Sequence, residues 1–166
     1  MSFLQFLSKR KPTALSISDD AIVAPADGQM ISITSVADPI FSEKKLGDGV
    51  AFRYKKEKVT LCSPANGILS VLFPTGHAFG ITMADGVEIL VHCGIDTVEA
   101  LGHGFAVCDK KQGNMIKAGE PIVVVDVEAL DKKYDMTTML IITNSNEHEF
   151  LFKQPMFINR GESIIE

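Results

Sequence analysis

An all-β barrel or sandwich is the fold class that this sequence predicts, and three observations predict it. Short runs rich in Val, Ile, Thr and Phe recur along the chain, punctuated by Asp27-Gly28, Gly47-Asp48-Gly49, Asn66-Gly67, Asp85-Gly86 and Gly113, residues that tolerate positive φ. The stretch Ala24-Pro25-Ala26-Asp27-Gly28-Gln29-Met30-Ile31 is echoed by Ser63-Pro64-Ala65-Asn66-Gly67-Ile68-Leu69-Ser70 at a constant offset of 39 (63 − 24), with Pro, Ala and Gly in register, so a duplicated β unit is expected. Asp85-Gly86 lies between two apolar runs and predicts a two-residue hairpin turn that returns the chain antiparallel.

Taken in order, residues 1–20 read as a flexible tail and residues 21–166 as a single domain. Phe3, Leu4, Phe6 and Leu7 fall near one side of a short helix that Pro12 should stop, after the basic Lys9-Arg10-Lys11. So short a helix is marginal alone in water, and its functional alternative is a weak membrane-surface contact through residues 1–11. Strands are expected near Ala21–Val23, Gln29–Thr34, Val50–Phe52, Val59–Cys62, Ile68–Phe73, Phe79–Thr82, Val87–His92, Phe105–Val107, Ile122–Val125 and Met139–Ile142. One helix, capped by Asp126, is expected from Val127 to about Tyr134. The segment Gly113–Ile122 has two glycines flanking a short strand, as lipoyl and biotinyl domains do, but carries no Met-Lys-Met tip for a swinging-arm lysine.

Composition excludes several functions. A net charge of −5 and a pI near 5.4 argue against nucleic acid as the partner, which requires a basic footprint on phosphates. Lys55-Lys56-Glu57-Lys58 reads as a solvated hairpin tip rather than such a footprint. Three cysteines without a CxxC do not form a disulfide framework, so a reducing cytoplasm is expected. The N-terminus does not read as a secretory signal.

The chemistry concentrates between Thr75 and Val98. His77 and His92 flank the Asp85-Gly86 turn at similar depth, so their imidazoles are expected to meet. A neutral imidazole serves as nucleophile, base or metal ligand near neutral pH. A catalytic zinc site needs a third protein ligand that the spacing does not supply, since Cys93 points to the opposite strand face and reads as a small buried hydrophobe. A serine hydrolase needs a Gly-x-Ser-x-Gly elbow, which is missing from the sequence. Phosphoryl transfer through histidine itself requires one accepting nitrogen and a second donor for the phosphoryl oxygens, with no nucleotide and no metal. The residues alone supply the pair and nothing beyond it.

Gly76-His77-Ala78-Phe79-Gly80-Ile81, followed by Gly86-Val87-Glu88-Ile89-Leu90-Val91-His92-Cys93-Gly94-Ile95-Asp96-Thr97-Val98, resembles the glucose-type enzyme IIA component of the bacterial phosphoenolpyruvate-dependent sugar phosphotransferase system. The likeness runs from about Val23 through Phe41–Lys44, Gly47–Gly49 and Asp126 to Asn144. It implies an antiparallel β-sandwich with a duplicated motif. It implies a phosphocarrier with His92 as phosphoacceptor through Nε2, His77 as stabiliser of the phosphoryl group, Thr75 orienting His77, and the Gly94 carbonyl taking the Nδ1 proton of His92. No cofactor is implied. The partners implied are the histidine-containing phosphocarrier protein and a IIB domain, docking on an apolar face of Ile40, Phe41, Phe73 and Phe79 rimmed by Asp38 and Asp96. From the residues alone, Phe73 and Phe79 read as core. The other reading is a regulatory binding protein that controls transporters or kinases according to its phosphorylation state, with zinc bridging His77, His92 and a partner carboxylate. Gly76 stands where related sequences often carry a side-chain amide, and His103 is assigned to the surface. Neither a IIB cysteine motif nor a IIC membrane segment accompanies the domain, so the expectation is a free-standing or excised carrier whose sugar is unnamed.

Overall fold

The computed structural model describes residues 11–166, and the N-terminal apolar helix expected around Phe3–Leu7 lies outside the described residues. Among the described residues eleven strands form two antiparallel sheets: β1 (Gly28–Ser32), β2 (Asp48–Arg53), β3 (Lys58–Cys62), β4 (Gly67–Leu72), β5 (Ala78–Thr82), β6 (Glu88–Cys93), β7 (Phe105–Val107), β8 (Met115–Ile116), β9 (Pro121–Asp126), β10 (Thr138–Ile142) and β11 (Met156–Ile158). The larger sheet has the order β11-β1-β2-β10-β6-β5-β4-β8 and the smaller β3-β9-β7. Two short α-helices accompany them, α1 (Pro39–Ser42) between β1 and β2 and α2 (Val127–Leu130) between β9 and β10. The expected antiparallel β-sandwich is therefore the fold.

The sequence echo is a structural pseudo-symmetry. Val23 N–H donates to the Pro64 carbonyl at 2.8 Å, and its counterpart Cys62 N–H donates to the Pro25 carbonyl at 3.0 Å. Ala24 N–H reaches the Glu162 carbonyl as Ser63 N–H reaches that of Glu120, both at 2.9 Å. Asp27 Oδ1 accepts from Arg160 N–H at 2.7 Å just as Asn66 Oδ1 accepts from Ala118 N–H at 2.9 Å. A second echo thus accompanies the first: Ile116-Lys117-Ala118-Gly119-Glu120 matches Ile158-Asn159-Arg160-Gly161-Glu162 at an offset of 42 (158 − 116). That match is the signal for β11, which strand propensity did not reveal because the segment is three residues long and follows Pro155.

The apolar faces of the two sheets meet in one main core that contains Met30, Phe52, Leu61, Leu69, Phe79, Ile89, Ile122 and Leu140. Each such side chain contributes roughly 1.5–3 kcal/mol by leaving water. A smaller cluster of Ile33, Val36, Phe41, Ala51, Met139 and Ile141 forms on the other face of the large sheet, beneath α1. It exists because strand alternation sends Met139 and Ile141 away from the main core, and it is the bed on which His92 lies.

Several expected elements differ in detail. The helix capped by Asp126 is real, its carboxylate accepting from Ala129 N–H at 3.1 Å, but it ends at Leu130 rather than Tyr134. The chain must return to start β10 at Thr138, and the 131–134 segment is spent in turns. The run near Ala21–Val23 makes only an isolated bridge, Val23 with Ser163. Part of the expected tail is docked: Leu15 N–H donates to the Ala118 carbonyl at 2.7 Å, and Asn66 Nδ2 donates to the Asp19 carboxylate at 2.9 Å. Leu15 seats between Gly119 and Gly161, where a Cβ on either glycine would collide with it, so residues 13–19 are held by the pseudo-symmetric turns. Among the described residues no helix is long and apolar enough to cross a membrane.

Candidate active site

The β5–β6 hairpin pairs Ala78 with His92 and Thr82 with Glu88. Met83 N–H closes the loop onto the Val87 carbonyl at 2.9 Å, so three residues, Ala84-Asp85-Gly86, make the turn instead of the expected two. Gly86 takes φ of +91° at its end, and the Asp85 carboxylate accepts from Val87 N–H at 3.1 Å. This register sets His77 opposite Cys93, whose N–H donates to the His77 carbonyl at 2.8 Å. Strict alternation would then turn His77 away from His92. The rings nevertheless meet, with centroids 5.4 Å apart and planes at 78°. They meet because His77 precedes the first residue of β5 and follows Gly76, which at φ +79° takes the chain out of extended geometry.

Each imidazole is oriented by a neighbour two residues away. His92 Nδ1 lies 2.9 Å from the Gly94 carbonyl, which can only accept, so the proton of the neutral ring sits on Nδ1 and the lone pair on Nε2. Gly94 has φ of +81°, and a Cβ there would collide with Thr97 Cγ2, so this turn requires glycine. His77 Nδ1 lies 2.6 Å from the Thr75 hydroxyl, a partner able to donate or accept. His77 is 4 % exposed, and His92 is half-buried. Burial lowers both pKa values below 6.5 because it disfavours the imidazolium. For His92 the lowering is opposed by its bond to Gly94 and by the charges of Asp38 and Asp96, and reinforced by His77. The pair is therefore poised as two neutral rings at pH 7.

The expected docking residues divide. Ile40 and Phe73 are 46 % and 42 % exposed, and the Phe73 ring lies 5.0 Å from that of His77. Asp38 caps α1 through Ile40 N–H at 3.0 Å, and Asp96 is exposed in the turn after Gly94. Phe41 and Phe79 correct the exposed patch that the resemblance implies; Phe79 is core, as its residue pattern alone reads, whereas Phe73, read the same way, is exposed because it lies past the end of β4. Phe79 is 1 % exposed because it neighbours Ala78 on β5 and so faces the main core. Phe41 is 4 % exposed in the small cluster, its ring centroid 5.4 Å from that of His92, where it supports the imidazole from beneath. One apolar residue not singled out from the sequence shares this surface: Leu90, two residues before His92 on the same strand face and packed against the small cluster. Period-two alternation from His92 is the signal that finds Leu90.

Cys93 is 1 % exposed, accepts from the Thr138 hydroxyl at 3.3 Å, and has its thiol pushed up to about 12 by burial, so it is inert packing. His103 is exposed on its turn, as expected. Among the described residues no group of three or more His, Cys, Asp and Glu is arranged to hold a metal ion. A zinc ion at the pair would find two imidazole donors and would need its other ligands from another molecule.

These features define a β-sandwich with a paired-imidazole centre, one ring buried and the other half-buried, beside an apolar surface. A family model described as the phosphoenolpyruvate-dependent sugar phosphotransferase system, EIIA 1, matches residues 20–148. The glucose-specific EIIA component of Haemophilus influenzae is 36 % identical over 145 residues, covering 87 % of this chain and 86 % of that protein. The glucose-specific EIICBA component of Staphylococcus carnosus is 34 % identical over 145 residues, 87 % of this chain, which spans only 21 % of that longer relative. The solved glucose permease IIA from Mycoplasma capricolum superposes with a TM-score of 0.80 at 35 % identity, covering 87 % of this chain and 93 % of that one. The chain belongs to the EIIA family of the phosphoenolpyruvate-dependent sugar phosphotransferase system.

Proposed function

We propose that this EIIA domain carries a phosphoryl group on His92 Nε2, received from the histidine-containing phosphocarrier protein and delivered to a IIB domain. The observation that carries the reading is the Nδ1–H bond of His92 to the Gly94 carbonyl, which leaves the Nε2 lone pair free beside a second imidazole. In the accepting step that lone pair attacks phosphorus, and the bond from phosphorus to the donor nitrogen breaks. The donor nitrogen keeps the electron pair, and His92 keeps its Nδ1 proton on Gly94. In the delivering step a IIB cysteine thiolate attacks phosphorus and the P–Nε2 electron pair returns to His92. With the Thr75 hydroxyl, 2.6 Å away, as donor to Nδ1 of His77, the ring proton sits on Nε2, where it would donate to a phosphoryl oxygen as charge builds in both steps.

The fusion of a related domain in a protein named EIICBA supports a IIB domain as the acceptor, and the glucose-specific names of the relatives support a glucose-type permease. Ile40, Phe73 and Leu90 around the pair would supply the apolar docking contact, with Asp38 and Asp96 attracting a basic partner. The test is incubation with phosphoenolpyruvate, enzyme I and the phosphocarrier. One acid-labile phosphate per chain is expected for the native protein and none for His92→Gln; equal labelling of that variant would overturn the reading.

A further inference from the structure

The Gly94 carbonyl, on which the lone pair of His92 depends, is itself held from one side by a single segment. Gly94 N–H donates to the Thr137 carbonyl at 3.0 Å, and Ile95 N–H donates to the Asp135 carbonyl at 2.8 Å. The acceptor peptide is therefore anchored on both of its flanks by residues 135–137, just before β10. That segment is folded by one carboxylate: Asp135 Oδ1 accepts from Thr137 N–H at 3.0 Å and from the Thr137 hydroxyl at 2.7 Å. The preceding Cys93–Gly94 peptide is also held through its carbonyl, which accepts from the Thr97 hydroxyl. Thr137 is buried at 5 % exposure, while Asp135 reaches the surface.

We infer that Asp135 is a positioning residue for His92, its carboxylate holding the 135–137 turn that aims the Gly94 carbonyl at Nδ1. Asp135 touches neither imidazole. It acts through Thr137, then the Gly94–Ile95 peptides, then the Nδ1–H bond. Loss of the carboxylate frees the Thr137 hydroxyl and N–H, lets the turn rotate, and moves the Gly94 oxygen off the ring plane. The ring then loses the bond that keeps its proton on Nδ1, and the Nε2–H tautomer, which has no lone pair at the accepting nitrogen, gains population. The inference rests on the reading of His92 as acceptor for its kinetic consequence, and on geometry alone for its tautomeric one.

The experiment pairs long-range proton–nitrogen NMR of the His92 ring at pH 7.5, in unphosphorylated protein, with the rate of labelling by limiting phosphocarrier. The native ring should show the proton on Nδ1. Asp135→Ala should show a mixture of tautomers and label about tenfold more slowly, the size of one lost charge-assisted hydrogen bond. Asp135→Asn, which keeps an oxygen at the same place, should recover most of both. An Asp135→Ala protein with native tautomer and native rate would overturn the inference, and so would slow labelling with the native tautomer, which would assign Asp135 to partner docking instead. Should Asp135→Ala fail to fold, Thr137→Val removes the 2.7 Å hydroxyl bond alone, and an unchanged tautomer there would overturn it equally. If the native protein takes no label at all, the phosphocarrier reading fails, while the tautomer comparison still decides the role of Asp135.

Discussion

The turn that carries Gly94 and the turn that carries Thr75 hold imidazoles 5.4 Å apart in opposite ways. Behind His92 stands a carbonyl, which can only accept, so its tautomer is determined before any partner arrives. Behind His77 stands a hydroxyl, which rotates and can give or take a proton. In the roles proposed for them, the acceptor needs its lone pair in one place, whereas a group that assists two successive transfers gains from an adaptable neighbour. The two turns also differ in tolerance. A Cβ on Gly94 would collide with Thr97 Cγ2 and stand 3.1 Å from Met136 Sδ, while one on Gly76 would meet Phe105, Val107 and Val123 side chains at 3.1–3.2 Å.

The difference between the rings predicts unequal variants. His92→Gln should take no phosphate, whereas His77→Gln should still take it and pass it on poorly, by about two orders of magnitude if one transition-state donor is lost. Normal onward transfer by His77→Gln, followed by sugar phosphorylation with a IIB domain, would remove the asymmetry. In the turns, Gly94→Ala should be the more damaging substitution, combining about 1–2 kcal/mol of left-handed strain with about 1–3 kcal/mol of overpacking. Gly76→Ala meets the same strain but softer contacts, so urea unfolding should separate the two, and equal midpoints would contradict the contact geometry. Thr75→Val deprives His77 of its hydroxyl while sparing His92, so labelling should stay near native and onward transfer should slow by about tenfold. Thr75→Ser should restore it.

The smallest effect is in pH. Burial holds both rings below their ordinary value of 6.5, so phosphate acceptance should persist as pH falls past 6.5 and decline only at more acid values. The unfolded chain protonates first over that interval. The contribution of these rings to stability is thus fully present above 6.5 and is lost as pH falls toward the folded values. Asp38 raises the His92 value, so Asp38→Asn should move the His92 NMR titration further to acid and leave His77 nearly unchanged. A shift of His92 in the alkaline direction would contradict the charge arrangement.

Much of the sandwich was legible in local pattern. The run Phe105–Val107 was bounded as the structure has it, and most other strands lay within one or two residues of their expected limits, because alternating apolar residues between Gly-containing turns are a local signal. The short elements were not legible: β11 owes its form to pairing with β1, far away in the chain, and α1 is a single turn capped locally by Asp38, too short to show a helical period. Phe41 and Phe73 show the same limit at the site: likeness put Phe41 on the exposed patch where it is buried, and strand pattern put Phe73 in the core where it is exposed, because only the packing decides which aromatic side chains face inward.

By itself the sequence determined that two histidines flank a hairpin, that Gly94 and Thr75 stand two residues from them, and that a β unit is duplicated. Turn chemistry, strand period and residue identity act over a few positions and are written there. Only the tertiary structure decided that the rings meet. The pairing of Ala78 with His92 would put His77 on the wrong face, and the left-handed Gly76, seated against Phe105, Val107 and Val123 from the other sheet, brings it back. That packing joins residues far apart in the chain, so no local pattern could carry it.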